Sequence, residues 1–154
     1  MKSIKPSFQK KYLLSWIWVV LFSLIRIITL IGKPVGIGRN LVSWLYPFSP
    51  TLYFLSLCLI GPIIEEFIFR YLVFKTFGKK GGEIWLSCFI SFFAFVFAHR
   101  RVWKDFSRYF PWLAFYALFF IFIYWLSDWN LFFPVLSHIL INTIFAVFFI
   151  CQKG

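Results

Sequence analysis

Hydrophobic positions in this chain come in long runs separated by short polar or basic breaks, with no residue-by-residue alternation. Runs of about 17 to 25 mostly apolar residues, the length a helix needs to cross a hydrocarbon core, cover positions 12–31, 51–77, 83–99, 109–126 and 131–151. Each break carries its own chemistry. GKPVGIG at 32–38 cannot continue a helix, GKKGG at 78–82 offers glycines for a left-handed cap, and DWN at 128–130 makes a tight polar corner. The pattern predicts an all-α fold, a polytopic transmembrane helical bundle of five spans. A sixth span follows if 40–60 crosses by itself and a new helix starts at Gly61-Pro62; the other option is that Pro62 kinks one long helix.

MKSIKPSFQKK, before the first run, resembles the basic start of a signal peptide. The apolar stretch behind it is too long for an ordinary signal core and no small-x-small cleavage site follows, so an uncleaved first span is expected. The expected organisation is a basic cytoplasmic segment at 1–11, a first transmembrane helix and linker at 12–50, and a helical core at 51–154.

Composition narrows the class. With 62% hydrophobic and 14% charged residues over 154 positions, the chain is one domain far from the ~25% charge of a soluble protein. The net charge of +11 sits in short clusters beside the apolar runs. That is the pattern of helix ends held at anionic headgroups, so membrane lipids are the expected partner and nucleic acid is not. Five spans distribute Lys and Arg almost evenly between the two sides, which leaves orientation open; six would suit the positive-inside rule better. Cys58, Cys88 and Cys151 are odd in number, far apart and inside apolar runs, and read as small buried hydrophobes. The tryptophans lie mostly near span ends, as aromatic belts do. Abundant Phe, Ile and Lys point to an AT-rich bacterial genome, hence to a bacterial cytoplasmic membrane.

Against this background PIIEEFIFR, residues 62–70, stands out, because the whole chain has only five acidic residues. Run 51–77 holds 15 Leu, Ile, Phe and Val residues, worth on the order of −7 kcal/mol on an insertion scale, while Glu65, Glu66 and Arg70 return about +9. Such a helix barely inserts alone, so its charges need partners inside the protein or a wet cavity. Glu66 and Arg70, spaced i, i+4, share a face and form an expected structural pair; Glu65 lies about 100° away, free to address something else.

Both histidines of the chain also fall in apolar runs, His99 at the end of FISFFAFVFAH and His138 in FFPVLSHILIN. His138 and Asn142 are i, i+4, and Phe95 lies one turn before His99. Three helices can thus converge on one wet pocket, with Glu65 as general base, His99 and His138 orienting or donating protons, and the Asn142 amide suited to an oxyanion. Two readings of these residues stand side by side: a hydrolytic site using an activated water, or a buried ionic cluster that fixes helix register. Neither a Ser-His-Asp set nor an activated cysteine is evident.

Three motifs in order, Glu65-Glu66-Phe-Ile-Phe-Arg70, Phe95-Val-Phe-Ala-His99 and His138-Ile-Leu-Ile-Asn142, make the chain resemble the CAAX prenyl protease and bacteriocin-processing family of intramembrane endopeptidases, also called CPBP or Abi. The resemblance implies a helical membrane core in which Glu65 and His99 activate water, His138 and Asn142 stabilise the oxyanion, and Glu66 and Arg70 organise the site. It implies a peptide or protein substrate at the membrane, prenylated CAAX tails among them, and for some members a link to bacteriocin immunity. No cofactor is expected; the alternative is a Zn²⁺ held by Glu65, His99 and His138, although HExxH is absent. Tyr71 stands where many relatives have glycine. The readings that compete with an endopeptidase are an immunity or interaction protein on the same fold, and a proton-relay protein, for which no inverted repeat is visible.

Overall fold

The computed structural model describes residues 6–30, 48–78, 84–99 and 106–151. These form five helices: α1 Pro6–Leu30, α2 Pro50–Phe77, α3 Ile84–Ala98, α4 Phe106–Leu126 and α5 Phe132–Cys151. The described residues contain no strand. α2 is long and apolar enough to cross a membrane, and Ile84–Ala98, Phe110–Leu126 and Phe132–Phe148 are shorter apolar helices. All five follow the runs read from the sequence, while the 32–38 break lies outside the described residues.

α2 settles the choice at Gly61-Pro62. Gly61 is helical (φ −56°, ψ −56°) and Pro62 continues the same helix, so residues 50–77 form one rod and no sixth helix starts here. The rod is not uniform. Its hydrogen bonding widens to π turns at Ser56–Ile60 and Phe67–Leu72, bracketing the segment Gly61–Glu66. Such turns insert an extra residue and are frequent at functional sites. The helix starts at Ser49, whose hydroxyl accepts a hydrogen bond from the Leu52 N–H, followed by Pro50 in the first turn.

α3 runs antiparallel to α2 and presses against it. Gly78 faces Ser87, Arg70 faces Phe95 and Glu65 faces His99. Small residues allow the close approach: Ser87 and Ser91 are fully buried, and a Cβ on Gly78 would lie 3.4 Å from Ser87 Oγ and 2.6 Å from the Phe74 carbonyl oxygen. The left-handed cap expected here is absent from the described part of 78–82, since Gly78 has φ −87°. Glycine serves proximity at this position, not handedness.

α4 packs on α1, α3 and α5. Its Ala117, Phe120 and Ile123 are buried among Val19 and Phe22 of α1, Phe95 of α3 and Phe133 and Ile141 of α5. Phe22 and Phe119 stack at 3.7 Å. The polar corner between α4 and α5 forms as expected, with Asp128 and Trp129 at φ 60° and 63°. A left-handed tryptophan costs about 1–2 kcal/mol. It is offset by the Trp129 N–H bond to the Tyr124 carbonyl (2.9 Å) and by ring contacts with Phe74 and Tyr124. Lys11 Nζ then ties the start of α1 to Asp128 at 2.7 Å.

Each helix exposes large apolar side chains outward, from Leu13 and Ile17 on α1 to Ile63 and Ile64 on α2, Trp85 and Phe89 on α3, Trp125 on α4 and Phe132 on α5. Cys58 and Cys88 are half-buried, and Cys151 is exposed rather than buried as expected. On an apolar exterior a small hydrophobe needs no core.

Candidate active site

The site begins with two charges that no water reaches. Glu66 and Arg70, one turn apart on α2, are both fully buried, a position charged residues tolerate only when paired. Glu66 Oε2 lies 3.2 Å from Arg70 Nε, but the N–H is poorly aligned with the oxygen, so the contact is an ion pair more than a hydrogen bond. The guanidinium gains further compensation from α3 and α4, although its Nη1 finds no hydrogen-bond partner among the described residues. Its carbon stands 4.7 Å from the centre of the Phe95 ring and 5.3 Å from that of Phe120, and Nη2 donates a long hydrogen bond (3.4 Å) to the Ala117 carbonyl.

Glu66 does more than the i, i+4 spacing suggested. Its Oε1 accepts a 2.9 Å hydrogen bond from His138 Nδ1 on α5, and the face of Phe120 stacks on the same imidazole at 4.6 Å. A carboxylate can only accept, so the proton on this side of the ring sits on Nδ1. His99 is held in the same manner by different means: Nδ1 contacts the Phe95 carbonyl oxygen at 2.8 Å, and that oxygen too can only accept. Phe95 also lies against the ring at 4.5 Å. Both imidazoles therefore direct Nε2 away from their supports.

They direct it at Glu65. Oε2 lies 3.7 Å from His99 Nε2 and 3.8 Å from His138 Nε2, longer than the roughly 2.7–3.2 Å of a direct hydrogen bond, and has no hydrogen-bond partner of its own. With both imidazoles neutral, three lone-pair-bearing atoms face one another, which is repulsive unless a proton donor stands among them. A water molecule with two O–H groups, or one protonated ring, supplies it. The Glu65 and His99 side chains are about one-third exposed, at 33% and 30%, against 7% for His138, while Glu65 Oε2 itself is buried between the imidazoles; the cluster is closed on the Glu66 side, and solvent reaches only the outer parts of Glu65 and His99.

The same three side chains are the candidate ligands for a zinc ion. Tetrahedral zinc with bonds of about 2.0–2.1 Å sets neighbouring ligands roughly 3.3 Å apart, and the separations of 3.7 and 3.8 Å exceed this. Among the described residues no three His, Cys, Asp or Glu side chains converge on a metal position.

Asn142, one turn beyond His138, contacts neither glutamate at hydrogen-bond distance among the described interactions. Its Nδ2 donates to the Leu57 carbonyl of α2 at 2.9 Å, which spends one of the amide's two N–H groups. Sequence reasoning missed this bond, the Glu66–His138 bond, and the parts played by Ala117 and Phe120. Leu57 had one signal, a proline five residues later. Phe120 and Ala117, on a helix with no polar motif, had none. Tyr71, at the family's glycine position, stacks on Phe67 at 5.1 Å and accepts from Lys75 Nζ, away from the cluster.

Comparison with known families matches residues 47–144 to the family described as Type II CAAX prenyl endopeptidase Rce1-like. That stretch carries all three motifs and more than half of the chain. No curated protein and no solved structure matches.

Proposed function

The chain belongs to the type II CAAX prenyl endopeptidase Rce1-like family, and from that premise we propose that it is a multi-pass intramembrane endopeptidase hydrolysing a peptide bond in a membrane-associated or lipidated peptide through a glutamate- and histidine-activated water. Membership in a family of membrane proteases carries the reaction class. The observation that favours this mechanism is the position of Glu65 Oε2 at nearly equal distance, 3.7 and 3.8 Å, from two imidazole Nε2 atoms whose other nitrogens are already committed.

In this reading a water lies between Glu65 and His99. Glu65 takes its proton as the oxygen attacks the scissile carbonyl, and His99 Nε2 accepts the other O–H and fixes the direction of attack. Two carboxylates and one guanidinium leave the cluster with one excess negative charge, which a single proton on an imidazole neutralises. Carried on His138 Nε2, with Glu66 holding Nδ1, that proton makes an N–H donor for the oxygen that becomes negative in the tetrahedral intermediate. The second N–H of Asn142 is proposed to assist there. The proton held by Glu65 then passes to the departing amine as the C–N bond breaks. Arg70 stands beside Glu66 as its buried counter-charge, 3.2 Å away.

The experiment is cleavage of a quenched-fluorescent peptide ending in a farnesylated cysteine and three further residues, by the full chain in proteoliposomes. Glu65→Gln keeps the side-chain size and removes the base. Loss of turnover with unchanged helicity supports the proposal, and turnover within twofold of wild type sinks it.

A further inference from the structure

The bond between Asn142 and Leu57 has a backbone cause. In an uninterrupted α-helix the Leu57 carbonyl would accept from the Gly61 N–H, but Gly61 donates to Ser56, five residues back. In that wider register the donor for Leu57 would be residue 62, and residue 62 is proline, which has no N–H. The carbonyl is left over in an apolar environment, where an unsatisfied backbone oxygen is costly. The Asn142 amide takes the place of the missing N–H at 2.9 Å.

This cross-helix bond joins α2 two turns before Glu65 to α5 one turn after His138, the two residues whose facing atoms stand 3.8 Å apart. Sliding of α5 along α2 would change that separation directly, and the Asn142–Leu57 bond resists it together with Glu66–His138 and the neighbouring side-chain bond between Cys58 and Thr143.

We propose that Pro62, by depriving the Leu57 carbonyl of a backbone donor, makes Asn142 a clamp that sets the height of His138 against Glu65, so that Pro62 is a positioning residue of the site. The inference deepens the endopeptidase reading and rests on it for its kinetic consequence. Pro62 reaches no reacting atom and acts through Leu57 and Asn142. Gly61 belongs to the same device: a Cβ there would lie 3.0 Å from the Ser56 carbonyl oxygen, the acceptor of its own N–H, and 4.0 Å, an ordinary contact distance, from Glu65 Oε1, so an added side chain would press on the register that strands Leu57.

The test is a thermal double-mutant cycle on the full chain in detergent, with wild type, Asn142→Ala, Pro62→Ala and the double variant, combined with kinetics on the farnesylated probe peptide. Asn142→Ala in wild type strands the part-buried Leu57 carbonyl and lowers the midpoint by roughly 2–8 °C. In the Pro62→Ala background residue 62 regains an N–H that can serve Leu57, and the same substitution lowers the midpoint by less than half as much. Pro62→Ala alone retains Asn142 but weakens its hold, and reduces kcat about tenfold or more with KM within about twofold, as a misplacement on the ångström scale does. Gly61→Ala, which disturbs the same turn with every polar group retained, gives the same kcat loss and guards against a proline variant that fails to fold. Midpoint losses that simply add, or a folded Pro62→Ala or Gly61→Ala enzyme with wild-type kcat, overturn the proposal. The thermal cycle uses no substrate, so failure of the wild type to cleave the probe counts against the endopeptidase reading alone.

Discussion

Replacing Glu66 by leucine removes one of two fully buried opposite charges and leaves the other in place. The Arg70 guanidinium would retain two ring faces, at 4.7 and 5.3 Å, and one 3.4 Å hydrogen bond to Ala117. Ring faces are worth up to about 2 kcal/mol each when desolvated, whereas a buried ion costs several kcal/mol to desolvate and breaking such a pair from one side typically loses about 3–5 kcal/mol. At about 2–4 °C per kcal/mol for a chain of this size, the thermal midpoint should fall by roughly 6–20 °C in a detergent melt followed by far-ultraviolet circular dichroism. Glu66→Leu/Arg70→Met removes both charges and should recover most of that fall, because apolar replacement of a whole buried pair is often neutral or stabilising. It should not recover activity, since His138 Nδ1 has lost the acceptor that orients it. Glu66→Gln should fall between: its amide oxygen can still accept from His138, but its N–H₂ would face Arg70 Nε. A Glu66→Leu midpoint within about 2 °C of wild type, or a double variant no more stable than the single one, would refute the reasoning about the buried charge.

Removal of the base by Glu65→Gln should cost about 10²–10⁴ in kcat and, because Glu65 is one-third exposed with no short hydrogen bond, should move the midpoint by no more than a few degrees. Treatment with a zinc chelator should leave probe cleavage unchanged; loss of activity restored by added Zn²⁺ would show that the ligands contract around a metal. Lys11→Ala breaks a pair whose side chains are both 47% exposed, a class worth about 0.2–1 kcal/mol, so differential scanning should register at most a small shift that vanishes in high salt. Five spans require the two chain ends on opposite faces of the membrane, and thiol labelling of Cys151 from one side of sealed vesicles, compared with an N-terminal tag, checks this directly.

The sequence by itself determined the helices and the identity of the polar residues that had to be explained. Period and length were enough, because in an apolar medium a helix must satisfy its own backbone, so a run such as 51–77 has little alternative. Spacing also put Glu66 with Arg70 and set Glu65 apart, since i, i+4 neighbours share a face whatever surrounds them. Only the tertiary structure decided what each polar group addresses. His138 meets Glu66, His99 leans on the Phe95 carbonyl, and Asn142 reaches Leu57, because these partners lie on other helices or on backbone atoms that carry no side-chain signal. The continuity of α2 through Pro62 was likewise left open by the sequence. A proline removes one donor locally, and here a neighbouring helix brings the Asn142 amide to the Leu57 carbonyl.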